Sequence, residues 1–306
     1  MKPVGKDPEF RYIISLADKL SKERRPLILV GETGTGKSFV ARYIHEKSGS
    51  RGEPFIEWHA GSVPESLIES EILGVDKGIA TGVLQRTGVF EAAGGGTLCI
   101  SGIEEIPPHT QAIFLRLIET GEFEKIGGQR RVPFKGRVIA VFQDDPRKLA
   151  REGKLRTDLF YRLDVFRMDI PPLRERKADI REFVSLFLGA ECRKAKRKVP
   201  EIDGALMKRL ENYRWPGNIR ELENLVRHLA RAEEDVLRME HLPPQLLFPM
   251  DGSVEPAADE RLSLDEIKRR YIAAVLQRTG GRKTEAAKWL GISRKSLWEH
   301  LKEEKE

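Results

Sequence analysis

The feature that most constrains this chain is a glycine-rich motif at residues 31–38, directly after a short apolar run. Residues 26–30 read Pro-Leu-Ile-Leu-Val and predict a buried strand, and a helical pattern starts at Ser38. The motif matches G-x-x-x-x-G-K-[ST], whose backbone N–H groups surround phosphates at the positive end of the following helix. The sequence therefore predicts a nucleotide-binding loop. Its residues are Gly31, Glu32, Thr33, Gly34, Thr35, Gly36, Lys37 and Ser38.

Two side chains of this loop have specific predicted contacts. Lys37 is expected to reach the β- and γ-phosphates, and the hydroxyl of Ser38 is expected to bind Mg²⁺. A chance glycine-rich turn is the alternative, but it does not explain why every fixed position of the pattern stands between a strand and a helix. The predicted cofactors are ATP and Mg²⁺, with Ser38 as the metal contact.

Hydrolysis also needs an acidic residue that holds the metal after a second strand, and a carboxylate that orients the attacking water. The predicted strand at residues 97–100 is followed by Ser101 and Gly102, where two acids would be expected. Glu104 and Glu105 come a few residues later and are the remaining catalytic candidates. Such a shift seldom restores geometry that must be accurate to about half an ångström. We therefore expect ATP hydrolysis to be weak or absent.

Alternating strand and helix patterns predict an α/β fold over residues 1–170. Further strands are expected at 55–58 and 138–142, and helices at 38–47 and 110–120. This order predicts a parallel sheet covered by helices.

From about Pro171 the strand patterns stop. Helical periodicity at residues 178–190, 204–213 and 219–232 predicts an all-helical subdomain over residues 171–248.

Residues 249–262, rich in proline, glycine and acid, predict a flexible linker. The domain that follows, residues 263–306, holds most of the excess positive charge. The chain has a net charge of +6, and residues 261–306 contain 12 Lys and Arg against 7 Asp and Glu. Such a segment predicts an acidic partner, with double-stranded DNA as the first candidate and a solvated basic surface as the alternative. The basic run at residues 193–198 has the same two interpretations.

The last domain has the spacing of a helix-turn-helix. Residues 284–290 and 294–302 predict two short helices. Between them, Gly291 is expected to take a positive φ in a tight turn, and Ser293 is expected to cap the second helix. The expected core residues are Trp289, Leu290, Ile292 and Leu297.

The start of the second helix is expected to meet base edges in the DNA major groove, while residues before the first helix are expected to contact phosphates. The predicted DNA contacts are Arg282, Lys283, Arg294, Lys295, Ser296, Trp298 and His300.

One such helix covers few base pairs, so two copies are expected on half-sites about one helical turn apart. The small domain cannot bury all of its own apolar surface, which predicts a homodimer. A helical hairpin that binds another protein is the alternative, and the local charge argues against it. The expected dimer face consists of Leu264, Ile267, Tyr271 and Leu276.

The hydropathy pattern leads us to expect neither a membrane protein nor a secreted one. No stretch approaches the ~18 uncharged residues of a membrane span, and the N-terminus lacks the apolar region of a secretory signal. The two cysteines, Cys99 and Cys192, cannot form a disulfide framework or a zinc site by themselves. We therefore expect a cytoplasmic protein without a membrane partner.

Taken in order, the motifs resemble the AAA+ central domain of sigma-54-dependent transcriptional activators, the bacterial enhancer-binding proteins. The segments that carry this resemblance are GETGTGKSFVARYIHEKS, PFIEWHAGSVPESLIESEILGVDKG, GGGTL, LRLIETGEFEKIGG, LRTDLFYRLDVFRMDIPPLRERKADI and WPGNIRELENLV. The segment TEAAKWLGISRKSLWEHL resembles the Fis-type helix-turn-helix that ends these regulators. The resemblance implies an AAA+ P-loop sheet with a helical lid, RNA polymerase or its sigma factor as a partner, and assembly into a ring. Because the chain begins close to the AAA+ start, we expect control through expression, a separate partner or nucleotide.

Three arginines match functional positions of the family. Arg156 and Arg162 align with arginine fingers that reach a neighbouring subunit's nucleotide, and Arg220 aligns with the lid arginine that contacts nucleotide within its own subunit. The alternative for each is an ordinary surface or salt-bridged arginine.

Four functional motifs depart from the family pattern. The loop that touches sigma-54 reads Gly-Ile-Ala-Thr-Gly-Val at residues 78–83, so Ala80 replaces an aromatic contact. The acidic pair falls on Ser101 and Gly102. The asparagine that senses the γ-phosphate falls on Gln143, and the asparagine that switches the catalytic glutamate falls on His59.

These observations leave three hypotheses. The first is a sequence-specific DNA-binding regulator that binds ATP but is impaired in hydrolysis and in sigma-54 contact. The second is an active ATPase that remodels the polymerase, with Glu104 or Glu105 replacing the lost acids. The third is a scaffold in which nucleotide only stabilises the fold.

Overall fold

The structure is a computed structural model that describes residues 3–76, 85–232, 234–243, 246, 263–294 and 296–298. The contacts divide the chain into two compact units. The first comprises Met1–Val199 and Met207–Glu233, and the second comprises Pro200–Leu206 and Glu234–Glu306. The predicted linker at 249–262 and the sigma-54 loop at 78–83 lie outside the described residues.

The strands are β1 (Leu27–Val30), β2 (Phe55–His59), β3 (Gly74–Val75), β4 (Arg86–Thr87), β5 (Thr97–Ser101), β6 (Glu122–Glu124), β7 (Arg131–Pro133), β8 (Arg137–Phe142), β9 (Phe166–Asp169), β10 (Glu201–Ile202) and β11 (Val236–Leu237). The helices are α1 (Pro8–Leu20), α2 (Lys37–Lys47), α3 (Glu65–Leu73), α4 (Val89–Ala93), α5 (Pro108–Thr120), α6 (Pro146–Arg151), α7 (Thr157–Leu163), α8 (Lys177–Lys194), α9 (Gly204–Asn212), α10 (Asn218–Leu229), α11 (Leu264–Arg278) and α12 (Lys283–Leu290).

The first unit is built on a five-stranded parallel sheet in the order β2-β5-β8-β1-β9. All four residues of β1 are buried. Leu27 and Leu29 pack with α1 and α2 on one face, whereas Ile28 and Val30 join the core of α4, α5 and α7 on the other. A parallel sheet buried on both faces explains the continuous apolar runs of its central strands. The α/β prediction is confirmed.

Several elements of this unit have no counterpart in the sequence prediction, and β9 and α1 show why. The edge strand β9 has the sequence Phe-Arg-Met-Asp and is only partly buried, so it lacks the apolar run that marks the central strands. Helix α1 begins after Asp7, whose carboxylate accepts the backbone N–H groups of Glu9 and Phe10.

The prediction that residues 171–248 are entirely helical is wrong. Helices α8, α9 and α10 form as expected, but β10 and β11 pair as a short parallel ladder. Each of these strands is two residues long, too short for alternation to appear in the sequence.

The C-terminal helices enclose a small core of their own. Ile272, Val275, Ala286, Ala287 and Leu297 are buried, with Leu276, Leu290 and Ile292 packed against them. Gly291 has φ +65°, and the Ser293 hydroxyl accepts the backbone N–H of Ser296 at 3.0 Å, as predicted.

The assignment of Trp289 to this core is wrong. Its side chain is 56% exposed. The buried residues of this helix are Ala286 and Ala287, and their small methyl groups let the neighbouring helix approach closely.

Candidate nucleotide site and DNA-binding helices

The loop at residues 31–38 joins the end of β1 to the start of α2. Gly36 has φ +99° and provides no side-chain cap for the helix, so the first N–H groups of α2 have no side-chain acceptor from that position. The buried Thr35 hydroxyl donates to the carbonyl of Glu32 at 2.9 Å and holds the turn. Uncapped N–H groups at a helix start are a suitable donor set for a phosphate group.

Gly34 brings the loop against the lid. It has φ +81°, and a Cβ at this position would overlap the carbonyl oxygen of Gly217 and lie 3.2 Å from Cβ of Arg220. The Gly34 carbonyl accepts the backbone N–H of Ile219 at 3.0 Å. Only glycine allows this approach, which brings the start of α10 directly over the loop.

Lys37 is almost fully buried, with 8% exposure. Its ammonium donates to the carbonyls of Gly31 and Glu32 at 2.5 and 2.8 Å. Burial and the nearby charge of Arg220 lower the pKa of Lys37 to about 8, while the carboxylates of Glu32 and Glu104 oppose this shift. Lys37 and Arg220 are thus neighbouring cations whose charges the two carboxylates balance only in part. Such a pair favours a polyanionic ligand such as a polyphosphate.

Asn218 links the loop to the lid through three hydrogen bonds. Its amide nitrogen donates to Oε2 of Glu32 and to the carbonyl of Thr33, both at 3.0 Å. Its amide oxygen accepts the backbone N–H of Leu173 at 2.8 Å. Asn218 is fully buried and has φ +52°, a conformation that asparagine tolerates better than most residues.

A bidentate ion pair reinforces the same junction. The guanidinium of Arg174 donates to both carboxylate oxygens of Glu32 at 2.6 and 2.8 Å, and this contact lowers the pKa of Glu32. Arg174 and Asn218 were not predicted as site residues, although both lie in the segments that carry the family resemblance.

The last residue of β5, Ser101, and the residue after it, Gly102, are not acids. Ser101 lies opposite His59 in the parallel register, and its Oγ is 3.0 Å from Nδ1 of His59. Gly102 follows with φ +74°. A Cβ at Gly61 would overlap a carboxylate oxygen of Glu105, and a Cβ at Gly102 would lie 3.2 Å from that carboxyl carbon.

The structure separates the two remaining glutamates. Glu105 is exposed, whereas Glu104 is half-buried and its Oε2 has no hydrogen-bond partner among the described residues. Burial raises the pKa of Glu104, and its carboxylate acts electrostatically on Lys37. Of the two glutamates, Glu104 is therefore the one whose charge acts on the lysine of the phosphate loop. Gln143 also faces the loop, since its Oε1 accepts the Thr33 hydroxyl at 2.9 Å.

The other predicted arginines differ in their surroundings. Arg220 is exposed beside the loop. Arg156 forms two hydrogen bonds to Asp158 at 3.1 and 2.8 Å, and Arg162 pairs with Glu119 at 2.8 Å on the surface of α7. The structure thus brings Arg220, but not the two finger candidates, to the loop of its own chain. Ser38 is exposed at the first turn of α2.

Of the predicted DNA contacts, those that the structure describes are exposed or half-buried in the C-terminal domain. Arg294 and Lys283 are exposed, Ser296 is half-buried, and Trp298 is 56% exposed. Arg282 pairs with Glu285 at 3.1 Å and also donates to the carbonyl of Thr279. Lys295 and His300 lie outside the described residues.

The expected dimer face is only partly described. Tyr271 is 53% exposed, whereas Leu276 packs against the core of its own domain. In the described part of the chain, no helix combines the length and apolar character that a membrane crossing requires.

Comparisons with known proteins cover almost the whole chain. Residues 4–169 match the Sigma-54 interaction domain, residues 174–258 the AAA+ ATPase lid domain, and residues 263–303 the Bacterial regulatory protein, Fis family. The regulatory protein AtoC of Escherichia coli is 40% identical over 93% of this chain and 64% of its own length. The DNA-binding transcriptional regulator NtrC of Azospirillum brasilense is 35% identical over 98% of this chain and 69% of its own length.

Solved structures agree with the fold. The crystal structure of NtrX from Brucella abortus in complex with ATP matches with a TM-score of 0.75 at 27% identity. Its ADP complex matches with a TM-score of 0.75 at 26% identity, and each match covers 99% of this chain and 69% of that chain. The chain spans less than two thirds of the first relative, AtoC. With a sigma-54 interaction domain, an AAA+ lid and a Fis-type helix-turn-helix in this order, the chain belongs to the family of sigma-54-dependent transcriptional regulators.

Proposed function

We propose that this protein is a sequence-specific DNA-binding regulator that binds ATP with Mg²⁺ but hydrolyses it weakly and contacts sigma-54 poorly. The observation that carries the proposal is the contrast between a complete phosphate loop and a β5 terminus that ends in Ser101 and Gly102.

ATP binding is supported by the loop, the lid and the relatives together. Gly36 leaves the first N–H groups of α2 without a cap, and Lys37 and Arg220 supply positive charge beside them. The matched NtrX structures hold ADP and ATP. Bound ATP would supply a phosphoanhydride to these donors, with the hydroxyl of Ser38 as the metal contact on this side.

Weak hydrolysis is supported by the residues at the end of β5 and β2 and by Gly102. Ser101 and His59 bond to each other, and neither is a carboxylate that can hold a divalent cation. Gly102 has no side chain to orient water. Loss of one such group commonly costs ~10²-fold or more in rate.

The proposal of poor contact with sigma-54 depends on Ala80 alone, because one methyl group replaces an aromatic surface.

We propose that the C-terminal helices bind double-stranded DNA and that the chain does so as a homodimer. Arg294 and Lys283 are exposed on a domain that carries most of the net charge. We further propose that RNA polymerase or a sigma factor is the regulatory partner, and that Arg156 and Arg162 act only where copies of the AAA+ domain form a ring.

An active ATPase is the second candidate, and one observation favours it. The Oε2 atom of Glu104 is buried without a partner, and its carboxylate acts on Lys37. The carboxylate of Glu104 is therefore available to replace the missing acid, although Glu104 lies three residues after Ser101 in the chain.

Steady-state phosphate release at saturating duplex DNA separates the two candidates. The measurement compares the natural chain, Glu104→Gln and the control Glu105→Gln. Our proposal predicts very slow release in all three. Fast release that Glu104→Gln abolishes and Glu105→Gln preserves would establish the second candidate instead.

A further inference from the structure

The segment before α1 is attached to the first turn of α8. The backbone N–H groups of Lys6 and Asp7 both donate to Oδ1 of Asp179, at 2.5 and 2.8 Å. Asp179 is fully buried and lies 173 residues after Lys6 along the chain. The ammonium of Lys6 adds an exposed ion pair with Glu182 at 2.6 Å. We call residues 5–7 the strap, because they hold the segment before α1 against α8.

Gly5 lets the strap lie close to α8. A Cβ on Gly5 would stand 2.6 Å from Cδ1 of Phe10 and 2.9 Å from Oδ2 of Asp179. Both of these side chains are buried, so neither can move aside easily in a closely packed interior. A larger residue at this position would therefore push the strap away from α8.

Arg176 holds Asp179 from the other side. Its Nε donates to Oδ2 of Asp179 at 2.9 Å, and the central carbon of its guanidinium lies 3.6 Å from the centre of the Phe10 ring. Burial lowers the pKa of Arg176, while the hydrogen bond with Asp179 and the charge of Asp7 oppose this shift. Release of the strap would remove two donors from a buried carboxylate and would thereby disturb its pair with Arg176.

Residues 173–179 form a continuous run of hydrogen-bonded turns. The backbone N–H of Arg176 donates to the carbonyl of Leu173 at 3.0 Å, and that of Asp179 donates to the carbonyl of Arg176 at 2.9 Å. Such a run moves as one piece, so a displacement of Asp179 is carried to the first residues of the run.

Those first residues hold the phosphate loop. The backbone N–H of Leu173 donates to the buried side chain of Asn218, which in turn donates to Glu32 of the loop. The guanidinium of Arg174 pairs with the same glutamate. The strap is thus connected to the phosphate loop through the lid.

We propose that the strap controls how fast nucleotide leaves the phosphate loop, an inference that rests on the ATP binding proposed above. While the strap is attached to Asp179, the run at 173–179 is held and the lid keeps its bonds to Glu32. When the strap detaches, these bonds lose their support, the lid opens and nucleotide dissociates faster. A molecule that competes for the strap would therefore speed nucleotide exchange without binding at the phosphate loop.

The test is the dissociation of a fluorescent ADP from the full chain in the presence of Mg²⁺, measured by a chase with excess unlabelled ADP. Gly5→Ala displaces the strap with one methyl group. We expect this variant to raise the dissociation rate at least about fivefold, the lower end of a typical coupling between two sites. The matched control is Gly52→Ala, because a Cβ on Gly52 would meet no other atom within 4 Å. The control should dissociate at the natural rate.

A charge reversal on the surface decides the question if Gly5→Ala does not fold. Lys6→Glu places a carboxylate against Glu182 and should raise the dissociation rate by up to about fivefold, the range of an exposed ion pair. The charge swap, Lys6→Glu together with Glu182→Lys, should restore the natural rate. The control is Lys194→Glu, because Lys194 pairs with Glu191 at the other end of the same helix.

A strap that only stabilises the fold gives a different result. Gly5→Ala would then lower the free energy of unfolding and leave the dissociation rate of the fluorescent ADP unchanged, which would overturn the proposal. A faster rate in Lys6→Glu that the charge swap does not restore, or no change in that variant, would overturn it as well. Failure of the proposed function is distinguishable, because the natural chain would then bind no fluorescent ADP, and control of nucleotide release would fail with it.

Discussion

The hydroxyl of Ser101 lies 3.0 Å from Nδ1 of His59, at the paired ends of β5 and β2. The two side chains satisfy each other, and neither contributes a carboxylate to the nucleotide site. The strand end thus retains its position in the sheet while it lacks the groups that hold a metal and polarise water. A substitution that places a carboxylate here should therefore raise the rate of ATP hydrolysis.

Ser101→Asp is expected to raise Mg²⁺-dependent ATP turnover about tenfold or more, because the carboxylate would stand at the strand end beside the phosphate loop. Phosphate release measures the change. Ser101→Asn is the matched control, since it has the same size and no charge. Equal rates for the Asp and Asn variants would show that this position does not limit hydrolysis.

Gly102→Glu is expected to behave differently. Gly102 has φ +74°, and its Cβ position faces the carboxyl group of Glu105. A non-glycine residue in this conformation costs about 1–2 kcal/mol, so the free energy of unfolding should fall by that amount with little gain in turnover. Urea unfolding monitored by circular dichroism measures the loss. An unchanged midpoint would mean that the backbone relaxes here.

Lys37→Ala is expected to abolish binding of ATP and ADP, because this ammonium is the buried cation of the loop. Isothermal titration calorimetry measures the affinity. Lys47→Ala is the control, since Lys47 is exposed at the other end of the same helix. Equal affinity in Lys37→Ala and the natural chain would contradict the assignment of the site.

Nucleotide binding is expected to take up protons above pH 8. The pKa of Lys37 is about 8 before binding, and a bound polyphosphate raises it by opposite charge. The free lysine is thus partly neutral at pH 8.5 while the complex is protonated, so affinity should fall as the pH rises from 8 to 10. Calorimetry in buffers of different ionisation enthalpy counts the protons. The same uptake at pH 6.5 as at pH 8.5 would be inconsistent with Lys37 as its source.

Two arginines of the last domain should affect DNA binding differently. Arg294→Ala is expected to cost roughly 1–3 kcal/mol on the preferred site and to relax base preference there. Arg282→Ala should weaken all sequences alike and reduce the salt slope by about one. Fluorescence anisotropy of the full chain, on duplexes selected from a random pool, measures both. Binding without any salt dependence would instead favour the protein-interaction hairpin.

The parts that sequence predicted well are those in which local pattern and burial agree. The apolar run of β1 and the loop after it carry their own signals, as do Gly291 and Ser293 in the last domain. Strand β9 is partly buried at the sheet edge, and β10 and β11 have two residues each, so no periodic pattern marks them. Trp289 has the hydrophobicity of a core residue, but the face it occupies is decided by how α11 and α12 pack.

The contacts of Glu32 with Asn218 and Arg174 could not be predicted from the sequence, for a different reason. Arg174 follows Glu32 by 142 residues and Asn218 follows it by 186 residues. The three side chains meet only because the lid folds over the loop. Likewise, the sequence offers Glu104 and Glu105 as equals. In the structure, Glu104 is half-buried and Glu105 is exposed.

The proposal that this chain binds ATP and hydrolyses it only slowly is tested most directly by a single-turnover experiment. Radiolabelled ATP is mixed with excess protein and Mg²⁺, and the label recovered with the protein is resolved into ATP and ADP over time. Typical enzymes turn over about ten times per second, and loss of a positioning group costs ~10²-fold or more. The account therefore predicts that protein-bound label remains ATP for at least several seconds. Conversion of the bound label to ADP within about one second would contradict it.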